Sequence, residues 1–145
     1  MRALFCIPLL FAAHAWADQA ADRAAIERVI GALNSAQSRP GEKPDSSLFT
    51  ADADNQLDRL ADLNRRLFQA SKEPWSEATT PRMAIQSIRF VTPDVALVDA
   101  ANTQYGSVIP ARRIPLLLVM KKEGADWRIA SLRVLMDLGG FTSVP

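Results

Sequence analysis

RMAIQSIRFVTPDVALVDAANTQY, residues 82–105, is the stretch whose reading decides the fold. Upstream of it, apolar residues recur every three to four positions. From Met83 onward the period falls to two. Met83 to Val91 reads as a strand, with Ile88 and Phe90 on one face. Thr92-Pro93-Asp94 is the turn, because Pro93 and Asp94 favour one and a proline is poorly placed inside a sheet. Val95 to Tyr105 is a second strand. Two adjacent strands joined by so short a turn must be antiparallel.

The pattern continues downstream. Ala111 to Lys122 is a third strand, whose Leu116-Leu117-Leu118-Val119-Met120 centre reads as apolar on both faces. Glu123-Gly124-Ala125-Asp126 is a hairpin turn carrying glycine. Trp127 to Asp137 is a fourth strand, ended by Gly139-Gly140. Upstream, Ile26, Val29, Ile30 and Leu33 fall at i, i+3, i+4 and i+7, which predicts an amphipathic helix over 22–37 with Asp22 as its N-cap. Pro40 stops it, since proline disfavours helix at Arg39 and donates no hydrogen bond. Ser47-Leu48-Phe49 reads as a short helical turn. A second helix is predicted over 53–70, capped by Asp52 or Asp54. Leu57, Leu60, Ala61, Asn64, Leu67 and Phe68 share one face, Leu63 widens it, and Asp62 and Arg66 pair at i,i+4. Helices first and strands after argue an α+β domain: N-terminal helices on an antiparallel sheet of about four strands. A sheet curved over helices forms a cone with an open end, a natural seat for a small apolar or amphipathic ligand.

The first residues carry a different message. Arg2, the apolar run Ala3–Ala13 and Ala15-Trp16-Ala17 form the three parts of a cleavable export signal, with a mature chain starting at Asp18. The expected organisation is a signal over 1–17 and one domain over 18–145, periplasmic or secreted. The single cysteine and single histidine, Cys6 and His14, fall inside the signal. A mature chain without them has no disulfides, no Cys or His nucleophile system and none of the usual zinc, haem or copper ligand sets. No metal and no cofactor is expected. Basic and acidic residues number 17 and 16 in the whole chain, and loss of Arg2 balances them. That balance gives no electrostatic case for nucleic acid. No apolar stretch after the signal is long enough to span a bilayer.

PDVALVDAANTQY (93–105) and LLLVMKKEGADWRIASLRV (116–134) resemble the nuclear-transport-factor-2-like superfamily, in particular its SnoaL-like, ketosteroid-isomerase-like branch. The shared pattern is an apolar strand, a charged glycine hairpin, and Trp127-Arg128-Ile129 opening the last strand. The resemblance implies a cystatin-like cone. The superfamily hosts isomerases, dehydratases, binding proteins and oligomerisation modules, so fold alone does not name a function. The isomerases use a tyrosine on the N-terminal helix. The only tyrosine here, Tyr105, is late in the second strand, and their catalytic roles do not transfer.

Five residues are candidate ligand contacts. Asp99 interrupts an apolar strand, where burial would raise its pKa toward that of a general base; the alternative is a wet or salt-bridged strand carboxylate. Tyr105 shares its strand face. Arg133 could pair with Asp99 or clamp an anion. Arg113 belongs to an Arg112-Arg113 pair, of which one points inward in a regular strand unless both are solvated. Trp75 could cap the cone mouth or plug the sheet edge. Trp127 reads as a packing residue. Three functions follow: an exported small-molecule-binding or structural domain without evident catalytic machinery, an isomerase or dehydratase with Asp99 as base, and an oligomerisation module. A homodimer is expected from the two apolar faces of the third strand.

Overall fold

The computed structural model describes residues 9–37, 43–71, 80–104 and 112–135. Helix α1 runs Leu9–Gln37, followed by a 3₁₀ turn at Ser46–Leu48, strand β1 (Phe49–Asn55) and helix α2 (Leu57–Ser71). Strands β2 (Arg82–Thr92), β3 (Val95–Gln104), β4 (Arg112–Glu123) and β5 (Asp126–Val134) complete the fold. The sheet order is β1-β5-β4-β3-β2.

The meander of β2 to β5 is antiparallel throughout. Gly124 closes the last hairpin at φ 66°, a left-handed conformation that glycine adopts without a Cβ clash. Two expectations are corrected. The sheet has five strands, and the fifth partner, β1, runs parallel to β5. Residues 53–55 therefore belong to a strand, and neither Asp52 nor Asp54 caps α2. The strand is made by its neighbour: alanine and aspartate have little preference for extended structure. The Gln56 N–H donates to the Leu132 carbonyl at 3.0 Å, and Gln56 Oε1 accepts from the Val134 N–H at 2.9 Å. Asn55 Oδ1 then accepts from the Leu57 N–H at 3.3 Å, where α2 starts.

Helix α1 also begins earlier than expected. Asp22 lies well inside it and is not an N-cap. Its stripe of Ile26, Ile30 and Leu33 is fully buried. On α2, Leu60 and Leu63 are buried, but Ala61 is exposed, so the buried face is narrower than the spacing suggested. Asp62 pairs with Arg66 at 2.8 Å, as expected, and also with Arg65.

The sheet face toward the helices carries Ala96, Val98 and Ala100 from β3, Ile114, Leu116, Leu118 and Met120 from β4, and Trp127, Ile129, Leu132 and Val134 from β5. A register shift beside Val119 and Met120 lets both Ile129 and Leu132 face this core despite their odd spacing. Each buried Ile or Leu contributes about 1.5–3 kcal/mol relative to exposure. The opposite face is less covered. Leu117 and Val119, expected to be buried, are only half-buried. Among the described residues no helix is long and apolar enough to cross a membrane.

Candidate functional site: a buried amide cluster at the loop end of the sheet

Asp99 lies on the face turned away from the helices and is exposed, which overturns its expected poor solvation. Its parity explains this: Ala96, Val98, Ala100 and Asn102 take the core side, so Asp99 must take the other. Asp99 Oδ2 accepts a hydrogen bond from Ser87 Oγ at 2.6 Å. Arg133 does not meet it. Leu117 stands between them in register, and Arg133 pairs instead with Asp54 on β1. Arg113 is exposed, opposite Thr103. Trp75 and Tyr105 lie outside the described residues. The structure therefore assembles no acid–base pair from Asp99, Arg113 and Arg133. Among the described residues no group of His, Cys, Asp or Glu side chains could hold a metal ion.

A different set of side chains converges on the core side. Asn102 continues the apolar row of Ala96, Val98 and Ala100 and is fully buried. Its Nδ2 donates to Asn64 Oδ1 on α2 at 2.8 Å. Across the ladder Asn102 is opposite Met83 on β2 and Ile114 on β4. Met83 is held in turn by Asn34 of α1. Its N–H donates to Asn34 Oδ1 at 2.8 Å, and its carbonyl accepts from Asn34 Nδ2 at 2.9 Å. β2 is an edge strand, so the Asn34 carboxamide acts as a strand partner there and ties the last turns of α1 to the sheet.

Asn102 Oδ1 is buried with no hydrogen-bond partner among the described residues; so is Oε1 of Gln37, one turn beyond Asn34 on α1. A buried carbonyl oxygen left unpaired costs about 1–3 kcal/mol. None of these amides is among the five candidate ligand contacts that the sequence offers. A signal was present: Asn64 and Asn102 are amides at positions where the helical and strand periods call for apolar side chains.

The other end of the sheet carries the two hairpin turns and is polar in another way. Asp22 Oδ1 accepts from Lys122 Nζ at 2.7 Å and from the Trp127 indole N–H at 2.8 Å. Partial burial pushes the Asp22 carboxyl up, but those hydrogen bonds and the Lys122 charge outweigh it and hold the group below the usual carboxylate value. Trp127 is buried and meets the Phe90 ring edge-on, with centroids 5.8 Å apart. A surface cavity of about 580 Å³ opens beside this node, lined by Gln19, Ala21, Phe90, Val91, Thr92 and Pro93 as well as Asp22 and Lys122. A shallower groove of about 720 Å³ follows β1, between Lys43 and Arg128.

No protein-family model and no curated protein matches the chain. Solved structures do. An NTF2-like protein with a cystatin-like fold from Novosphingobium aromaticivorans superimposes with a TM-score of 0.51 at 14% identity, covering 95% of this chain and 96% of that one. A protein of unknown function from Mycobacterium tuberculosis gives a TM-score of 0.52 at 18% identity, covering 92% of this chain and 80% of that one. With two helices packed on one face of a five-stranded mixed sheet, this chain has the NTF2-like, cystatin-like cone fold.

Proposed function

We propose that this chain is an exported small-molecule-binding domain whose ligand sits against the helix-facing side of the sheet, at the end where β2 begins and β3 finishes. The observation that carries the reading is the orphaned acceptor of fully buried Asn102. A side chain serving only to fill the core would be a leucine or valine at that position, at no such cost. Buried polar groups left unpaired by the fold are where function is often placed. NMR of 15N-asparagine-labelled protein titrated with a set of uncharged fragments tests it. Binders should shift the side-chain amide signals of Asn102 and Asn64. Fragments that bind yet leave both signals in place would refute the site. Export rests on Arg2, the apolar run and Ala15-Trp16-Ala17. Intact-mass measurement on protein from its native host should give Asp18 as the first residue, and a retained Met1 would refute it.

A second reading, pairing of two copies, is supported by the far sheet face. Leu97 and Val119 are neighbours across β3 and β4, with Leu117 beside them, and all three are half-buried. Arg89, Asp99 and Arg133 surround this strip as an exposed polar rim. Apolar centre and charged margin are the layout of a protein interface. Light scattering at micromolar concentration should give twice the monomer mass, and Leu117→Lys should halve it. A wild-type monomer removes this reading.

A further inference from the structure

We infer that the ligand of the Asn102 site is an uncharged molecule that donates a hydrogen bond, an alcohol or an amide N–H carried on an apolar body; this rests on the binding reading above and narrows it.

The polarity of the site follows from which ends of its amides are engaged. Asn102 Nδ2 is committed to Asn64 Oδ1. Both ends of the Asn34 carboxamide are engaged by the Met83 backbone. What is left over is acceptor: Asn102 Oδ1. An acceptor is satisfied only by a ligand that brings a proton. A ketone or an ester presents lone pairs to lone pairs. A carboxylate or phosphate adds repulsion.

Charge points the same way. The buried residues among those described are apolar side chains, threonines and Asn102, with no charged side chain in the set. An ion entering there would lose its hydration without gaining a counter-charge, a cost of several kcal/mol for a charge of either sign. The surroundings of Asn102 are hydrocarbon: Met83 on β2 and Ile114 on β4 are opposite it in register, Ala100 precedes it in the same row, and all three are buried, so an apolar body suits this position. A site that reads a donated proton discriminates strongly against an isostere lacking it, because the buried acceptor is then left unpaired.

The test is a matched series of one ring size: cyclohexanol, cyclohexanone, methylcyclohexane and cyclohexanecarboxylate, each titrated into the full chain. The side-chain amide signals of Asn102 and Asn64 are followed by NMR. Cyclohexanol should bind at least about tenfold more tightly than cyclohexanone and than methylcyclohexane, and the carboxylate should not bind. In Asn102→Leu the alcohol-to-ketone ratio should fall to about one. Should that variant fail to fold, the wild-type series decides alone. Equal affinities, or a preference for the ketone or the carboxylate, with the Asn102 signal still moving, overturns the ligand class and leaves the binding site standing. A preference for the alcohol that survives in Asn102→Leu also overturns it, by placing the acceptor elsewhere. If no member of the series moves the Asn102 or Asn64 signal at any soluble concentration, the binding reading falls and the inference falls with it.

Discussion

At the hairpin end of the sheet, one carboxylate oxygen of Asp22 receives both a lysine ammonium and an indole N–H, from 100 and 105 residues further along the chain, and the aromatic pair beneath it is closed edge to face. At the loop end, the Asn102 and Gln37 carbonyl oxygens are buried with nothing among the described residues to donate to them. The same helix, α1, supplies Asp22 to the first and Asn34 and Gln37 to the second. Polar groups that hold a fold are in this way distinct from polar groups that the fold holds for something else. In the first case every buried donor has an acceptor, and removal of any member costs stability. In the second, the cost is already present in the folded state, so removing the group can relieve it.

The largest effect that would sharpen the contrast is at Trp127. Trp127→Ala removes a buried indole, its contact with Phe90 and one of the two donors to Asp22, and should destabilise the chain by about 3–5 kcal/mol. Urea denaturation checks this. A loss under about 1 kcal/mol would mean that the hairpin end is not the anchored one.

Asp22→Ala comes next. It leaves the indole N–H and a half-buried ammonium without their acceptor and should cost about 1–3 kcal/mol near neutral pH. The sign of its pH dependence is fixed by the geometry. The folded carboxyl lies below its ordinary value, so the unfolded chain takes up the proton first as pH falls. The stabilisation is fully present above the ordinary carboxylate value of about 3.9 and is lost as pH drops through the lower folded one. The gap between wild type and Asp22→Ala in denaturation should therefore narrow below pH ~4. A gap that stays constant down to pH ~2 would show that the Asp22 charge contributes nothing to the node.

Asn102→Leu is the opposing measurement. The substitution replaces an unsatisfied amide with hydrocarbon of similar volume, and half-buried Asn64 can turn to solvent for its lost partner. Stability should stay within about 1 kcal/mol of wild type or rise, while the preference for the alcohol over the ketone at the cluster disappears. A fall of more than about 2 kcal/mol would break the comparison, making Asn102 a structural link between α2 and the sheet.

The elements that sequence made legible are those whose periodicity is local. Ile26, Ile30 and Leu33 announce α1, and the Pro93-Asp94 and Gly124 turns fix the meander, because each signal is carried by the residues that form the element. Strand β1 carries no such signal. FTADADN is extended because β5 pairs with it, and that partner arrives more than seventy residues later. Asp22 was misread for a related reason: the buried stripe begins one turn after it, which mimics a cap, whereas its true partners, Lys122 and Trp127, are contributed by the last hairpin. The amide cluster was partly visible. Asn64 interrupts an apolar helix face and Asn102 an apolar strand row, but nothing local says that the two interruptions meet.

Asp99 gives the smallest expected effect. VALVDAA offers apolar residues at both parities, so alternation alone could not say which face Asp99 occupies; the amide at 102 marked the core side only once the helices were seen to pack there. On the exposed face its carboxylate has a short hydrogen bond from Ser87, itself exposed, and the arginine in its row, Arg133, is paired with Asp54 instead. Asp99→Asn keeps an acceptor for the Ser87 hydroxyl and removes a charge that water already solvates. The change in stability should be within about 0.5 kcal/mol, and binding of cyclohexanol at the amide cluster should be unaltered, since the side chain lies on the other side of the sheet. Paired thermal melts and the same amide titration measure both. A loss of binding in Asp99→Asn would show that the ligand reaches the far face, and would move the functional site from the buried amides to the strip that includes Leu97 and Leu117.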